Sequence, residues 1–293
     1  MQISVWPMVS CSVPGHTRGM SPFLVIGGTG KVGRRLAREL RAAGHQARVA
    51  SRSGGDVRFD WHDRDSYRPA LSGTDGVFIV GPGSASDWSG PLSALLAAAQ
   101  DSHVGRAVLL SARGVEFLPD GVVARAENAL RQGPVPWTIL RPSHFDQNFT
   151  EAMLVPAGGV VAAPVGDGAE PFVDVQDIAE VAAAVLAGDG RAGDTIGLSG
   201  PAAITFAEAV AILGERTGQA LRFVSETPAA HVARLRAAGT PEGYITWRMA
   251  MLGGIARGAD AYLSDGVSRV LGRPATSFAT WASREAAALP AAR

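Results

Sequence analysis

Lysine is almost missing from this 293-residue chain: of its 27 basic residues, Lys31 alone is not arginine. Cysteine is equally scarce. With Cys11 as the single thiol no internal disulfide can form, and the first residues lack the basic start and continuous apolar stretch of a secretory signal, so a cytoplasmic location is expected. Net charge is zero, with 27 acidic residues against 27 basic ones, and bulk charge therefore points to neither nucleic acid nor an anionic membrane surface as a partner. No apolar run approaches the roughly 20 residues of a membrane-spanning helix; Val181-Ala182-Ala183-Ala184-Val185-Leu186 is typical of the longer ones. The histidines (His16, His45, His62, His103, His144 and His231) are scattered, and without a cysteine cluster no metal site can be assembled from local spacing. The excess of arginine over lysine reads as coding bias.

What is present is a large apolar fraction, 46%, enough to fill the core of one α/β domain with a smaller lobe. Residues 1–21 carry prolines and glycines without periodicity and read as a flexible extension or a start-site artefact, the fold beginning near Pro22. Short apolar runs then alternate with helical spacing: strands at 23–26, 47–50, 57–59, 76–80, 107–110 and 137–140, with helices at 31–43, 64–71, 92–100 and 124–131 between them. This alternation predicts a parallel sheet wound on both faces, a Rossmann-like fold. Past residue 155 the alternation continues with wider gaps: a helix at 175–186, a strand at 195–198, a helix opened by the capping pair Thr205 and Glu208, and helix starts at Thr227-Pro228 and Thr240-Pro241. The expected division is a dinucleotide-binding domain over 22–155, with the remaining strands interleaved with a helical substrate lobe over 156–293.

Lys31 lies in the one glycine-rich loop that joins a strand to a helix, Gly27-Gly28-Thr29-Gly30-Lys31-Val32-Gly33, directly after Phe23-Leu24-Val25-Ile26. A nucleoside-triphosphate loop would need glycine where Val25 stands and serine or threonine where Val32 stands, so that reading fails. The strand-loop-helix context fits a dinucleotide site, in which backbone amides and the helix N-terminus hold a pyrophosphate. The second strand ends in Ala50-Ser51-Arg52-Ser53, with no acidic residue between Glu39 and Asp56 to take the ribose hydroxyls of NAD. Arg52, with the hydroxyls of Ser51 and Ser53, suits a 2′-phosphate, so NADP(H) is the expected cofactor.

On these residues, and on Phe59-Asp60-Trp61, the run from Thr138 to Pro142 with Phe145 and Asn148, the run from Phe172 to Ala179, Leu198-Ser199-Gly200-Pro201, Thr205-Phe206-Ala207-Glu208 and Gly272-Arg273-Pro274, the chain resembles the NmrA-like group of atypical short-chain dehydrogenases/reductases. The resemblance implies adenine contacts near Asp60 and Trp61 and a nicotinamide pocket walled by Gly81-Pro82-Gly83, Ser111 and residues Pro142 to Phe145. Many short-chain reductases pair Tyr-x-x-x-Lys, the lysine lowering the tyrosine pKa. Here Leu71, Arg248 and Gly266 stand four residues after Tyr67, Tyr244 and Tyr262, and Val122-Val123 occupies the segment where the lysine would fall. The usual carbonyl-reductase mechanism is thereby strongly disfavoured.

Three classes remain: an NADPH-dependent reductase of a small apolar activated acceptor (quinone, iminium or conjugated enone), an NADP(H)-binding redox sensor, and an isomerase, epimerase or cyclase. The first is the expectation. His144, with its pKa of about 6.5 in the unperturbed state, is a candidate to donate a proton or hold an acceptor oxygen, or else it packs a turn. Ser111 is a candidate to bond the carboxamide or a substrate oxygen, or else it caps a loop; Arg113 interrupts the small-residue run that relatives often show there. Asp174 and Asp177 read as helix caps rather than metal ligands. Trp247, Met249, Met251 and Trp281 either line an apolar pocket or belong to the core. The expected partner is a small-molecule substrate, with no nucleic acid and no membrane; oligomeric state and substrate identity are not readable.

Overall fold

The computed structural model describes residues 21–83, 85–188 and 191–285. The expected extension therefore lies outside the described residues apart from Ser21, as does Cys11. Eleven short strands appear in order among the described residues: β1 (Phe23–Ile26), β2 (Ala47–Ser51), β3 (Val57–Arg58), β4 (Gly76–Val80), β5 (Arg106–Leu110) and β6 (Trp137–Pro142) come first. They are followed by β7 (Val160–Ala163), β8 (Ala169–Glu170), β9 (Asp194–Leu198), β10 (Ile204–Thr205) and β11 (Arg222–Ser225).

Seven of them form one sheet in the order β3-β2-β1-β4-β5-β6-β9, every pair parallel. This is the expected Rossmann-like architecture. Alternation along each strand explains how both sheet faces are covered: Leu24 and Ile26 of β1 join one apolar cluster with Val77, Ile79, Leu109 and Ile139, whereas Phe23 and Val25 join the opposite one with Phe78, Val108, Leu140 and Ile196. The helix Lys31–Ala42 lays Leu36 and Leu40 against Ile178 and Val181 of the helix Val175–Ala187 on that second face. Because β1 has β2 on one side and β4 on the other, the connections after β1 and β4 leave in opposite directions and open a crevice at the carboxyl ends of the strands.

A third apolar cluster lies away from the main sheet. Phe149, Phe172, Phe206 and Phe278 meet with ring centroids 5.0–6.5 Å apart, and Phe278 packs against Trp281. Two small sheets, β7 with β11 and β8 with β10, frame this part of the chain. Their two- to four-residue strands carry no periodicity long enough to read in advance.

Local chemistry sets the helix ends. Thr205 and Glu208 form the expected capping box, and Thr227 accepts from the amide of Ala230 at 3.2 Å. At Thr240-Pro241 the helix begins one residue later than expected, at Glu242, because Pro241 itself holds an extended conformation and serves as the N-cap. The segment 64–71 opens as a 3-10 turn, Arg64–Ser66, before the α-helix Tyr67–Leu71. Of the two aspartates, Asp174 caps the helix Val175–Ala187 through the amide of Gln176, while Asp177 in its first turn binds Arg273 and Thr276.

Trp281 is fully buried in the third cluster. Trp281→Ala should cost about 3–5 kcal/mol, the range for removing a large buried aromatic side chain. Urea denaturation checks this; a loss below about 1 kcal/mol would show that the cluster collapses around the gap.

Candidate active site

The glycine loop is shaped by close backbone approach. Gly27 has φ +73°, and a Cβ on Gly33 would fall 2.3 Å from the carbonyl oxygen of Gly27. A Cβ on Gly28 would meet Val49 Cγ1 at 2.6 Å. Helix Lys31–Ala42 starts without a side-chain cap and without an acidic residue in its first turn, and its first intrahelical bond runs from the amide of Arg34 to Gly30 O. The amides of Lys31, Val32 and Gly33 precede that bond and are free to meet an anion at the positive end of a 12-residue helix.

Next to the loop lies a cavity of about 420 Å³. Of the residues singled out in the sequence, Gly27, Thr29, Gly30, Ser51, Arg52, Ser53, Asp60, Trp61, Gly81 and Pro82 all line it. Gly81 is held by Trp88, whose ring would sit 2.4 Å from a Cβ added there. Trp61 donates from Nε1 to Val80 O at 3.2 Å and packs edge-on against Phe59 and Trp88, which fixes it as a wall. Asp60 accepts the amide of His62 at 3.0 Å. Arg52 is exposed and makes no hydrogen bond or ion pair among the described residues, while the Ser51 hydroxyl donates to Ser53 O.

A second cavity, of about 250 Å³, borders the start of the helix Lys31–Ala42. Lys31, Pro142, Ser143, His144 and Phe145 line it, facing Trp247, Met251 and Met153. Lys31 therefore borders this apolar cavity rather than the larger one. Burial, aided by Arg34 and Arg35, lowers its pKa against the pull of Glu151. Its ammonium has no hydrogen-bond or ion-pair partner among the described residues. Of the four Met and Trp residues considered for a pocket, Trp247 and Met251 reach this cavity, and Trp281 belongs to the third cluster instead.

The segment after β6 is rigidly held. The Ser143 amide donates to Leu198 O, its hydroxyl donates to Pro171 O at 2.6 Å, and the amides of Val173 and Asp146 bond His144 O and Val173 O. Glu170 Oε1 accepts the backbone amide of His144 at 2.9 Å and lies 3.3 Å from its Nδ1; His144 Nε2 is buried with no partner among the described residues. Ser111 lines neither cavity. Its hydroxyl donates to Glu127 Oε1 at 2.5 Å, and Arg141 grips the same carboxylate through two bonds. Burial opposes the Glu127 charge, but the bonds from Arg141, Ser111 and Arg131 outweigh it and hold the carboxyl below its ordinary range.

The structure adds two residues to the second cavity that the sequence did not nominate for chemistry, Asp260 beyond the helix Glu242–Ala256 and Arg113, and it brings Glu170 of β8 beside His144 and Asp260. Arg113 was visible as a departure from a small-residue run. Nothing local marks Glu170 or Asp260, which reach the site only through folding.

A family model described as NAD(P)H-binding matches residues 27–189, the span that contains both the glycine loop and the end of β2. The chain belongs to this NAD(P)H-binding family. It is 33% identical over 277 residues to an uncharacterized oxidoreductase of Bacillus subtilis, covering 91% of this chain and 96% of that protein. It is 34% identical over 285 residues to (4-alkanoyl-5-oxo-2,5-dihydrofuran-3-yl)methyl phosphate reductase of Streptomyces griseus, covering 91% and 98%. Its fold is shared with the Citrobacter triphenylmethane reductase complexed with NADP(H), at a TM-score of 0.74 and 23% identity over 90% of this chain and 99% of that one. The protein is thus an NAD(P)H-dependent oxidoreductase, and it shares its fold with NmrA at a TM-score of 0.70 and 17% identity. Among the described residues no helix is long and apolar enough to cross a membrane.

In this NAD(P)H-binding oxidoreductase the first-turn amides and the unpartnered Arg52 fit a dinucleotide carrying a 2′-phosphate. Arg52→Ala should weaken NADPH binding about tenfold to a hundredfold and leave NADH binding unchanged. Titration of the cofactor fluorescence measures both, and equal affinity of the unaltered protein for the two dinucleotides would remove the role given to Arg52.

Proposed function

We propose that this protein is an NADPH-dependent reductase of a small apolar activated acceptor, a quinone, an iminium or a conjugated enone. The observation that carries this reading is the second cavity, an apolar chamber beside the helix start that holds the cofactor phosphates. Phe145, Trp247 and Met251 supply apolar walls, and the polar groups are few: Lys31, Arg113, Ser143, His144, Asn148 and Asp260. That composition suits an acceptor recognised by shape and by one or two polar contacts.

Bound NADPH supplies the hydride. The protein's part is to fix the geometry: the loop amides and Arg52 anchor the dinucleotide, and the bonded segment 143–146 presents a rigid wall at the carboxyl end of β6. Ser111, which lines neither cavity and gives its proton to Glu127, is left with a structural role at the end of β5. His144 lines the acceptor cavity, and its Nε2 is buried without a partner among the described residues. An activated acceptor fits the absence of the tyrosine–lysine pair, because its own electrophilicity reduces the help needed at the carbonyl or iminium. The Streptomyces griseus relative is named as a reductase of a 4-alkanoyl-5-oxo-2,5-dihydrofuran, a ring with a carbon–carbon double bond beside carbonyl groups, which favours the enone within this set.

Absorbance of NADPH should fall with at least one member of a panel of quinones, iminium ions and conjugated enones. Tight NADPH binding with no oxidation by any of them would contradict the reading. His144→Phe should lower kcat/KM about tenfold, the loss expected for one hydrogen bond to substrate. Unchanged turnover in that variant across the pH range would remove His144 from the site chemistry.

A further inference from the structure

Asp260 is a buried carboxyl on the wall of the acceptor cavity, 1% exposed, that neither cofactor binding nor the sheet requires. Elements far apart in sequence converge on it. Arg113 Nη1 reaches Asp260 Oδ1 at 3.2 Å, Asp260 O at 3.3 Å and Tyr262 O at 2.9 Å, and its Nη2 donates to Ser264 Oγ at 2.7 Å. Glu170 arrives from β8, fully buried, with Oε2 lacking any partner. Donor and acceptor atoms of His144, Glu170 and Asp260 all lie within 4.8 Å of one another.

Charge balance decides what this cluster holds. With both carboxyls ionised, one guanidinium faces two negative charges in a dry setting, and Glu170 Oε2 has no donor. One proton shared between Asp260 and Glu170 corrects both faults, since it leaves a single negative charge against Arg113. A divalent cation would instead compete with Arg113 for Asp260 and leave an excess of positive charge.

We propose that Asp260 is the proton donor to the reduced acceptor, with Glu170 as the positioning residue that keeps the proton in place and Arg113 as the partner of the carboxylate left behind. The proposal rests on the reductase reading above. Burial chiefly, and then the charge of Glu170, push the Asp260 carboxyl up to about 8 against the opposing pull of Arg113, so the group is protonated at neutral pH. In the step itself a quinone or a conjugated enone, which needs a proton as well as a hydride where an iminium does not, takes the hydride from NADPH at its electrophilic carbon. The Asp260 O–H bond breaks, its proton bonds to the atom that gained the electron pair, and Asp260 is reprotonated from water after product leaves. Other titratable or charged groups facing the cluster are His144 from the segment after β6, Lys31 across the cavity, and Tyr262 on the same segment, whose hydroxyl donates to Glu116 at 2.9 Å.

Two measurements test the assignment. Infrared difference spectra of the cofactor-free protein should show a protonated-carboxyl band that titrates near pH 8 and is missing in Asp260→Asn. In kinetics with NADPH and an accepted quinone or enone, kcat/KM should fall as pH rises above about 8, because the donor form is lost. Asp260→Asn should lower it about a hundredfold or more, the typical contribution of a positioned general acid. Glu170→Gln retains an oxygen for the His144 amide but removes one negative neighbour, so the alkaline fall should move to lower pH.

An Asp260→Asn protein with the original rate and pH profile overturns the donor role while leaving the reductase reading intact. An infrared band unchanged in that variant does the same. Should Asp260→Asn fail to fold, an unshifted alkaline limb in Glu170→Gln overturns the proposal. Loss of activity on chelation with recovery on adding a divalent cation assigns the three residues to a metal instead and also overturns it. Absence of NADPH oxidation by the unaltered protein with any acceptor defeats the reductase reading first, and the donor role with it.

Discussion

The close crossing of the glycine loop under the first helix is the constraint on which the remainder of the site depends. Any side chain at Gly33 would sit 2.3 Å from Gly27 O and 2.6 Å from Gly28 Cα, so only glycine lets the helix start this near the strand it follows. That proximity aims three unbonded amides and the positive helix end at one point above the sheet. It also sets one cavity against the loop and the other against the helix start, with Lys31 bordering the second. A looser crossing would separate the dinucleotide from the chamber in which an acceptor must lie.

Around that point the molecule uses distance in sequence to build rigidity. Residues 143–146 are tied to Glu170, Pro171, Val173 and Leu198 by five hydrogen bonds, and Arg113 ties the turn after β5 to residues 260–264 by four more. The third aromatic cluster sits behind this wall and gives it a fixed backing, with Phe149 and Phe172 packed against each other close to the His144 ring. Such a scaffold suits hydride transfer, which depends on holding donor and acceptor within a short reach and excluding water.

The sheet and the dinucleotide cavity were legible because their signals are local. A strand, a glycine turn and a helix fall within twenty residues, and Arg52 follows at the end of the next strand, so Gly27 to Ser53 reads as one unit. The acceptor cavity was legible only on one side. Pro142, His144 and Phe145 stand together after a strand and could be placed, whereas Glu170, Met153 and Asp260 join them through pairing of two-residue strands and through loops with no period. Ser111 shows a different limit: its position after β5 was foreseeable, but its proton is directed to Glu127 by Arg141 and a helix whose facing residue the pattern does not reveal. The one-residue offset at Pro241 is smaller in kind, a proline taking the capping position that its neighbour Thr240 was expected to hold.

The central claim is spatial: dinucleotide along the glycine loop and acceptor in the chamber between residues 142–145 and Trp247. A crystal structure of the ternary complex with NADP+ and an unreactive acceptor analogue tests it most directly. The expected result places the 2′-phosphate at Arg52, the pyrophosphate on the amides of residues 31–33, and the analogue against Phe145, Trp247 and Met251 with its reducible atom facing the nicotinamide. An analogue bound outside that chamber, or a dinucleotide lying away from the loop, would contradict the account.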